Sequence, residues 1–408
     1  MMFPRSHIVA LSLVVAALAA PGAAYAQDQS DPSSKATVHL GRVSLLPVIA
    51  LTNMGVDNNV FNDPTNGTPK SDFTITTQAK TDAWLHMRRS LLSVSISEDF
   101  VYYQTYSNQR SVNGAYSAGL AVPLTRVSFK LNAGYINAKD RPGFEIDARL
   151  PRAEVAFDSA VEFRASAKTF VGVRAAHQLV QFGADAAFAG ANIRNELNRT
   201  TASQAVTLRY RLTPLTTLIV DAGKQQDRFE FNPLRDADST LLSVGALFNQ
   251  FALLKGSARF GYRAFMPRVD GLPDFKGATY AMDLTYVARG STKVTLAGDR
   301  DVRYSYDISQ PYYVQTGATL SVSQQVSHSI DVVGAAGLQH LDYRDRIGAL
   351  IVAAGRTDAV RSYRIGAGYR LGQSVRIGLN LDKQRRTSVL TARTYDNLRF
   401  GTAVTYEF

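Results

Sequence analysis

The groups with which this chain could do chemistry are 6 histidines, 34 aspartates and glutamates, 45 lysines and arginines, and no cysteine. His86, His177, His328 and His340 stand far apart, without the i, i+4 spacing of a zinc-binding helix. The lack of cysteine removes thiolate ligands, thiol nucleophiles and disulfides together. No G-x-S-x-G elbow is present, although a Ser-His-Asp set, whose members are distant in sequence, stays open on residue types alone. Gly366, Gly368 and Gly372 superficially suggest a nucleotide loop, yet no helical pattern follows them, so they read as small strand residues and a tight turn. Asn66 and Asn198 open Asn-x-Thr triplets in loop-like stretches and are given no glycan. The expectation is a non-enzyme with no cofactor and no bound metal.

What recurs instead is charge alternating with apolar side chains. Arg209 and Arg211 alternate with Leu208, Tyr210 and Leu212, and Arg364 and Arg370 with Tyr363, Ile365, Tyr369 and Leu371. Arg376, Asn380, Asp382 and Gln384 alternate with Val375, Ile377, Leu379 and Leu381. This is the period of two of a strand with one apolar and one polar face. The same reading places Lys130, Glu154, Asp158, Glu162 and Arg174 on the polar face, with Asn132, Gln178, Asp221, Asp299, Gln315 and Asp331. Glu98 breaks the rule, sharing parity with Leu92, Val94 and Ile96; a bulge or a place above the membrane rim would accommodate it. The formal charge of +11 is spread singly along the chain and not in a tract, which argues against nucleic acid as a partner.

The elements that must position these residues are strands throughout. About eighteen segments alternate in this way, with 16 as the fallback count. Pro123-Leu124-Thr125, Thr213-Pro214-Leu215, Val326-Ser327 and Gly372 are tight turns, whereas 60–71, 139–151, 183–198, 231–237, 267–274 and 343–356 are long. Short turns at one rim and long loops at the other describe an all-β, antiparallel, up-and-down transmembrane barrel with polar residues inside and apolar ones toward lipid. A charge facing lipid at mid-depth costs about 2 to 4 kcal/mol for Arg or Lys, which fixes the inward parity. Units of two strands do not make the four-stranded blades of a propeller. No segment shows helical periodicity, so no plug is expected, and the interior of so large a barrel should be an aqueous channel without a packed core.

Both ends fit that architecture. Residues 1–26 carry Arg5, an apolar run from Ile8 to Ala20 and Ala24-Tyr25-Ala26, the pattern of a removed secretory leader; the run is shorter than the roughly 20 residues of a membrane helix. Residues 27–42 read as a polar periplasmic tail and 43–408 as the barrel. The last strand, Tyr395 to Phe408, resembles the C-terminal assembly signal of bacterial outer-membrane proteins through Arg399, Gly401, Val404, Tyr406 and Phe408. That resemblance implies an outer-membrane location, lipid and the barrel-assembly machinery as partners, and, with an even strand count, both termini in the periplasm.

A second resemblance spans the mature chain. Pro47 to Phe61, ending Gly55-Val56-Asp57-Asn58-Asn59-Val60-Phe61, resembles the first strand of the β-barrel porin type 2 family, where an apolar strand runs into a D-x-N-[VI]-[FY] corner. The hairpins around Pro123-Leu124 and Pro214-Leu215 are similar to that family's also. The resemblance implies a porin associated with exopolysaccharide or capsule export, and hence polysaccharide and periplasmic export components as partners. A general or solute-selective diffusion porin is the alternative, and an outer-membrane enzyme or adhesin a third. On residue types, Asp57-Asn58-Asn59 is an Asx turn ending a strand rather than a calcium site, which needs more carboxylates. The strip Glu154, Asp158 and Glu162 is expected to pair with Arg209 or Arg211, leaving Arg364, Arg370 and Arg376 as an unpaired basic wall.

Overall fold

The computed structural model describes residues 32–249, 251–372 and 374–407. The leader, part of the N-terminal tail and Phe408 lie outside the described residues. Eighteen strands form the wall. The first nine are β1 (Val43–Asp57), β2 (Asp72–Met87), β3 (Ser90–Tyr103), β4 (Ser111–Pro123), β5 (Val127–Asp140), β6 (Leu150–Arg164), β7 (Thr169–Phe182), β8 (Arg199–Thr213) and β9 (Thr216–Phe229). The rest are β10 (Ala237–Phe248), β11 (Leu254–Pro267), β12 (Phe275–Ala288), β13 (Thr292–Tyr304), β14 (Tyr312–Gln325), β15 (Ile330–Arg344), β16 (Thr357–Leu371), β17 (Val375–Thr387) and β18 (Tyr395–Glu407). Each pairs antiparallel with its sequence neighbours, and β1 pairs with β18 from Val48↔Glu407 to Asp57↔Arg399, so the sheet closes. Closure leaves no edge, the condition for strands in a medium that offers the backbone no hydrogen bonds.

Connections of two to five residues at one end alternate with loops of seven to sixteen at the other, as the sequence pattern predicts. The tail is partly built into the fold: Val38–Leu40 turns back onto the start of β1, pairing Val38 with Leu45. On the outer face Val206, Leu208, Tyr210 and Leu212 of β8 and Tyr363, Ile365, Tyr369 and Leu371 of β16 are exposed, as a lipid-facing belt requires. Glu98 does lie on that face. The pairing of β3 runs without a register shift, so no bulge turns it inward. Its carboxylate accepts a hydrogen bond from Tyr116, whose ring stacks on Tyr135, and it stands eight residues above the turn, about 20 Å up at ~3.3 Å per residue and a tilt of roughly 40°. An apron of hydroxyl-bearing aromatics near the rim supplies what the carboxylate needs there.

The longest lapse in pairing along the wall lies between β12 and β13. Pairing of β12 with β13 stops at Tyr280↔Arg300, although β12 begins at Phe275 and β13 runs on to Tyr304. Beyond that point the tip of the β13–β14 hairpin leans into the barrel. Tyr304 packs edge-on to Phe229 of β9, with centroids 4.8 Å apart, and Tyr312 packs 4.9 Å from Phe265 of β11. Since β9 and β13 are four strands apart on the wall, that contact crosses the interior. Arg300 bridges the split, donating to the Ala278 carbonyl at 3.2 Å and to the Thr316 hydroxyl at 2.5 Å.

Candidate functional site

The long-loop mouth of the barrel is packed, which corrects the expectation of an open channel without a core. Loop 141–149 joins β5 to β6, yet its middle lies against strands on the far arc. Pro142 and Gly143, the latter at φ 94°, turn the chain sharply inward; a side chain at Gly143 would be strained there. Phe144 then packs against Tyr313, Leu341, Tyr343 and Val360 of β14–β16. Ile146 joins a buried cluster with Val180, Phe182, Ile193, Leu197, Phe229 and Tyr306. An irregular segment held inside a barrel needs partners for its own carbonyls, because an unpaired buried polar group costs about 1–3 kcal/mol.

Arginines supply them. Arg386 of β17 donates to the carbonyls of Phe144 at 2.9 Å and Glu145 at 3.0 Å and to the Asp147 carboxylate at 3.2 Å. Arg393 donates to the Glu145 carbonyl and pairs with Asp147 at 3.0 Å. Arg141 fixes the near end, donating to the carbonyls of Val60 and Asp147, both at 2.6 Å. The Glu145 carboxylate accepts from the Ser305 hydroxyl at 2.6 Å and the Tyr306 N–H at 3.2 Å, which ties the loop to the tip of the β13–β14 hairpin. Burial pushes its carboxyl above the usual range, opposed by the Ser305 hydrogen bond and by the charges of Arg393, Arg356 and Arg386.

A second loop, 183–198, braces the first. Its short hairpin (Ala187–Phe188 with Ala191–Asn192) leads into a one-turn helix, Ile193–Leu197, capped by the Asn192 side chain accepting from the Asn195 N–H at 3.2 Å. Phe188 meets Tyr306 edge-on at 5.0 Å. Arg235 is 3% exposed and spans three elements, donating to Glu196 at 3.0 Å and to the carbonyls of Ser305 at 2.5 Å and Pro311 at 3.2 Å. The absence of helical periodicity could not reveal this plug, because it is made of loops.

Along the inner wall the charges read from the sequence are brought together in pairs. Arg209 is buried and binds Glu162 through two guanidinium hydrogen bonds, reaching over β7 at Gly172. Lys130 lies on β5 on the same face, and Arg174 pairs with Asp158. Glu154 pairs with Arg152 and accepts from Gln178 at 3.2 Å. Arg211 lies 5.4 Å from the ring centre of Phe170. The other group departs from expectation. Arg364 pairs with its cross-strand neighbour Asp382, and Arg376 donates to Asp331 at 2.5 and 2.9 Å. Of the three expected to form an unpaired wall, only Arg370 has no carboxylate partner among the described residues. The reason is geometric: Asp331 is on β15 and Arg376 on β17, and the intervening position on β16 is Gly368, where a Cβ would come within 2.2 Å of the Arg376 guanidinium. Gly245 gives the same clearance to Arg259, which lies 3.5 Å from Asp221. On a concave face, side chains two strands apart converge, and a glycine between them opens the way.

The family model described as "Putative beta-barrel porin 2" matches residues 37–408. The chain belongs to this family. No curated protein matches it. Among solved structures the porin is similar in fold to opdK from Pseudomonas aeruginosa, at 11% identity and a TM-score of 0.47 over 89% of this chain and 98% of that one. It is likewise similar to OccAB4 from Acinetobacter baumannii, at 10% identity and a TM-score of 0.47 over 93% and 100%. Family and fold make it an outer-membrane barrel.

The corner that carries the resemblance is the porin's own fastener. Asp57 is 2% exposed and accepts from the Asn59 N–H at 3.0 Å, the Asx turn expected of it. It also takes Asn397 at 2.8 Å and Arg399 at 2.9 Å from β18, so the motif locks the first strand to the last. Asn59 adds donors to the carbonyls of Asp63 at 2.9 Å and Asp396 at 3.1 Å. Nearby, Asn53 at φ 53° marks a register shift, and Gly55 sits where a Cβ would be 2.0 Å from the Phe400 carbonyl. Asp57→Ala strips three donors of their acceptor and is expected to cost the porin about 1–3 kcal/mol, lowering the temperature at which its heat-modifiable band unfolds. An unchanged transition in that gel would remove Asp57 from the closure.

Proposed function

We propose that this porin is a constricted diffusion channel for small hydrated solutes rather than a conduit for a polysaccharide chain. The observation that supports this reading is loop 141–149, which crosses the mouth and is tied down at Phe144, Glu145 and Asp147 by Arg386 and Arg393. A polymer in transit needs a continuous wide bore, and moving this loop aside would unpair several buried groups at once. Small solutes need only the space beside it, along a wall of charges and amides that offers many weak hydrogen bonds to bind and release. In the proposed orientation the short turns and both termini face the periplasm and the packed mouth faces outward. Tyr406 and Phe408 then act with Arg399, Gly401 and Val404 as the signal read by the assembly machinery.

Liposomes carrying the porin are expected to swell in monosaccharides and not in long dextrans. A deletion strain that loses surface polysaccharide, together with liposomes impermeable to small sugars, would refute the reading and restore export. The paired wall also sets an expectation for ions. Arg364→Gln/Arg370→Gln/Arg376→Gln frees Asp331 and Asp382, so reversal potentials in a KCl gradient should move toward K⁺, most at low salt where screening is weakest. Identical potentials would take this wall out of the conduction path.

A further inference from the structure

The outer face changes character abruptly where β15 to β18 approach the loop end. On β16 Leu371, Tyr369, Ile365 and Tyr363 are exposed and apolar, and the next outward residue is Arg361. On β17 the series Ile377, Leu379 and Leu381 gives way to Lys383 and Arg385. Arg361 and Arg385 are exposed and directly opposite each other on adjacent strands. Like charges so placed destabilise a sheet. Asp396 stands opposite Arg385 on β18, but its carboxylate pairs with Lys383 at 3.5 Å, and neither Arg361 nor Arg385 has an ion-pair partner among the described residues. On the same outer face Arg228 is answered by Asp238 at 2.6 Å, and Arg300 by the Ala278 carbonyl and the Thr316 hydroxyl.

The height of the pair decides what can answer it. Each arginine stands ten residues from the short-turn end of its strand, about 25 Å up at ~3.3 Å per residue and a tilt of roughly 40°, close to the ~25 Å height of the apolar belt of such barrels. The pair therefore meets the boundary between acyl chains and headgroups. Two guanidinium forks at one cross-strand position match a phosphate, which accepts bidentate hydrogen bonds from arginine.

We propose that Arg361 and Arg385 together bind a phosphate of a phosphorylated glycolipid in the leaflet at the loop end, so that this sector is a specific lipid contact; the choice of leaflet rests on the orientation proposed above. The bound phosphate converts a repulsive pair into a bridged one and stabilises the β16–β17 pairing beside the seam.

The test uses the full mature porin folded in detergent, with the unfolding temperature of its heat-modifiable band as readout. Bisphosphorylated lipid A is expected to raise that temperature by several degrees, and dephosphorylated lipid A and inorganic phosphate to leave it unchanged. Arg361→Gln/Arg385→Gln should lose the shift while being at least as stable as wild type without lipid. Lys224→Gln, a change at an exposed outward lysine on β9, should keep the shift. Arg361→Lys/Arg385→Lys keeps the charge without the forks and should show a smaller shift, which maintains the test where the glutamine pair fails to fold. An equal shift in the lysine or glutamine pair overturns the proposal. So does an equal effect of dephosphorylated lipid A, which would mean acyl chains alone, or of inorganic phosphate, which would mean a free-anion site.

Discussion

Replacing residues 144–147 by two glycines raises single-channel conductance several-fold in planar bilayers. The substitution removes Phe144, Glu145, Ile146 and Asp147, the side chains that seat the crossing loop, and leaves the contacts of Arg141 with the Val60 carbonyl and of Arg149 with the Gln109 carbonyl in place. The wall is unaffected because every strand pairing lies outside the loop. Glu145 adds a pH dependence. Its carboxyl is raised by burial, so the seated loop holds a proton more firmly than a released loop does. The contribution to seating is complete below the range in which a free carboxyl titrates and is lost as pH rises through the seated value. Conductance of the wild type should therefore rise from acid toward neutral pH, and Glu145→Gln should flatten that rise. Equal conductance of the glycine variant and wild type would show that the bore lies elsewhere than under this loop.

Asp358→Ala is the substitution with the largest expected loss of stability. Asp358 and Arg356 are fully buried side chains 2.5 Å apart, and Arg386 shares the same carboxylate. Removing the shared carboxylate leaves Arg356 buried with no carboxylate partner among the described residues, while Arg386 keeps Asp147 and the loop carbonyls, and breaking a buried pair from one side costs about 3–5 kcal/mol. Asp358→Ala/Arg356→Met should recover part of the loss, because it removes the stranded charge. Urea unfolding in detergent reads both effects; a single variant within about 1 kcal/mol of wild type would mean that the network is solvated rather than buried.

The wall was legible because one physical rule acts at every position. Lipid on one side and water on the other force a period of two, and Val206 to Leu212 or Ile377 to Leu381 display it without knowledge of any partner. The mouth was not legible for the opposite reason. Arg386 reads as one more inward residue of β17, and nothing near it in sequence indicates that it donates to carbonyls about 240 positions upstream. Backbone acceptors have no side-chain signature at all. The Asp331–Arg376 pair escapes parity along a strand and between neighbouring strands, because the contact skips a strand over Gly368. The glycine was the available signal, since a small residue opposite one charge, with the opposite charge two residues off register on the far strand, marks such a diagonal bridge. Glu98 shows the limit of parity as a rule, for it keeps its outward place and is satisfied by Tyr116.

The seam between β1 and β18 has a consequence in time. Asp57 and Arg399, joined at 2.9 Å, are separated by 342 positions, so the contact closes a ring that contains nearly the whole barrel. The entropy of closing such a loop grows only as about (3/2)RT ln n, a few kcal/mol at this length, but none of it is recovered until the last strand has been made and placed. Hairpins between neighbours can zip as soon as two strands exist; the seam cannot. Until then the growing sheet has two bare edges, β1 and whichever strand is newest, and each can recruit a strand from another molecule. The Asp57 corner thus acts as a completion check: its bond from Asn59 forms locally, and the other two form only in a chain that has reached Asn397 and Arg399 in the correct register.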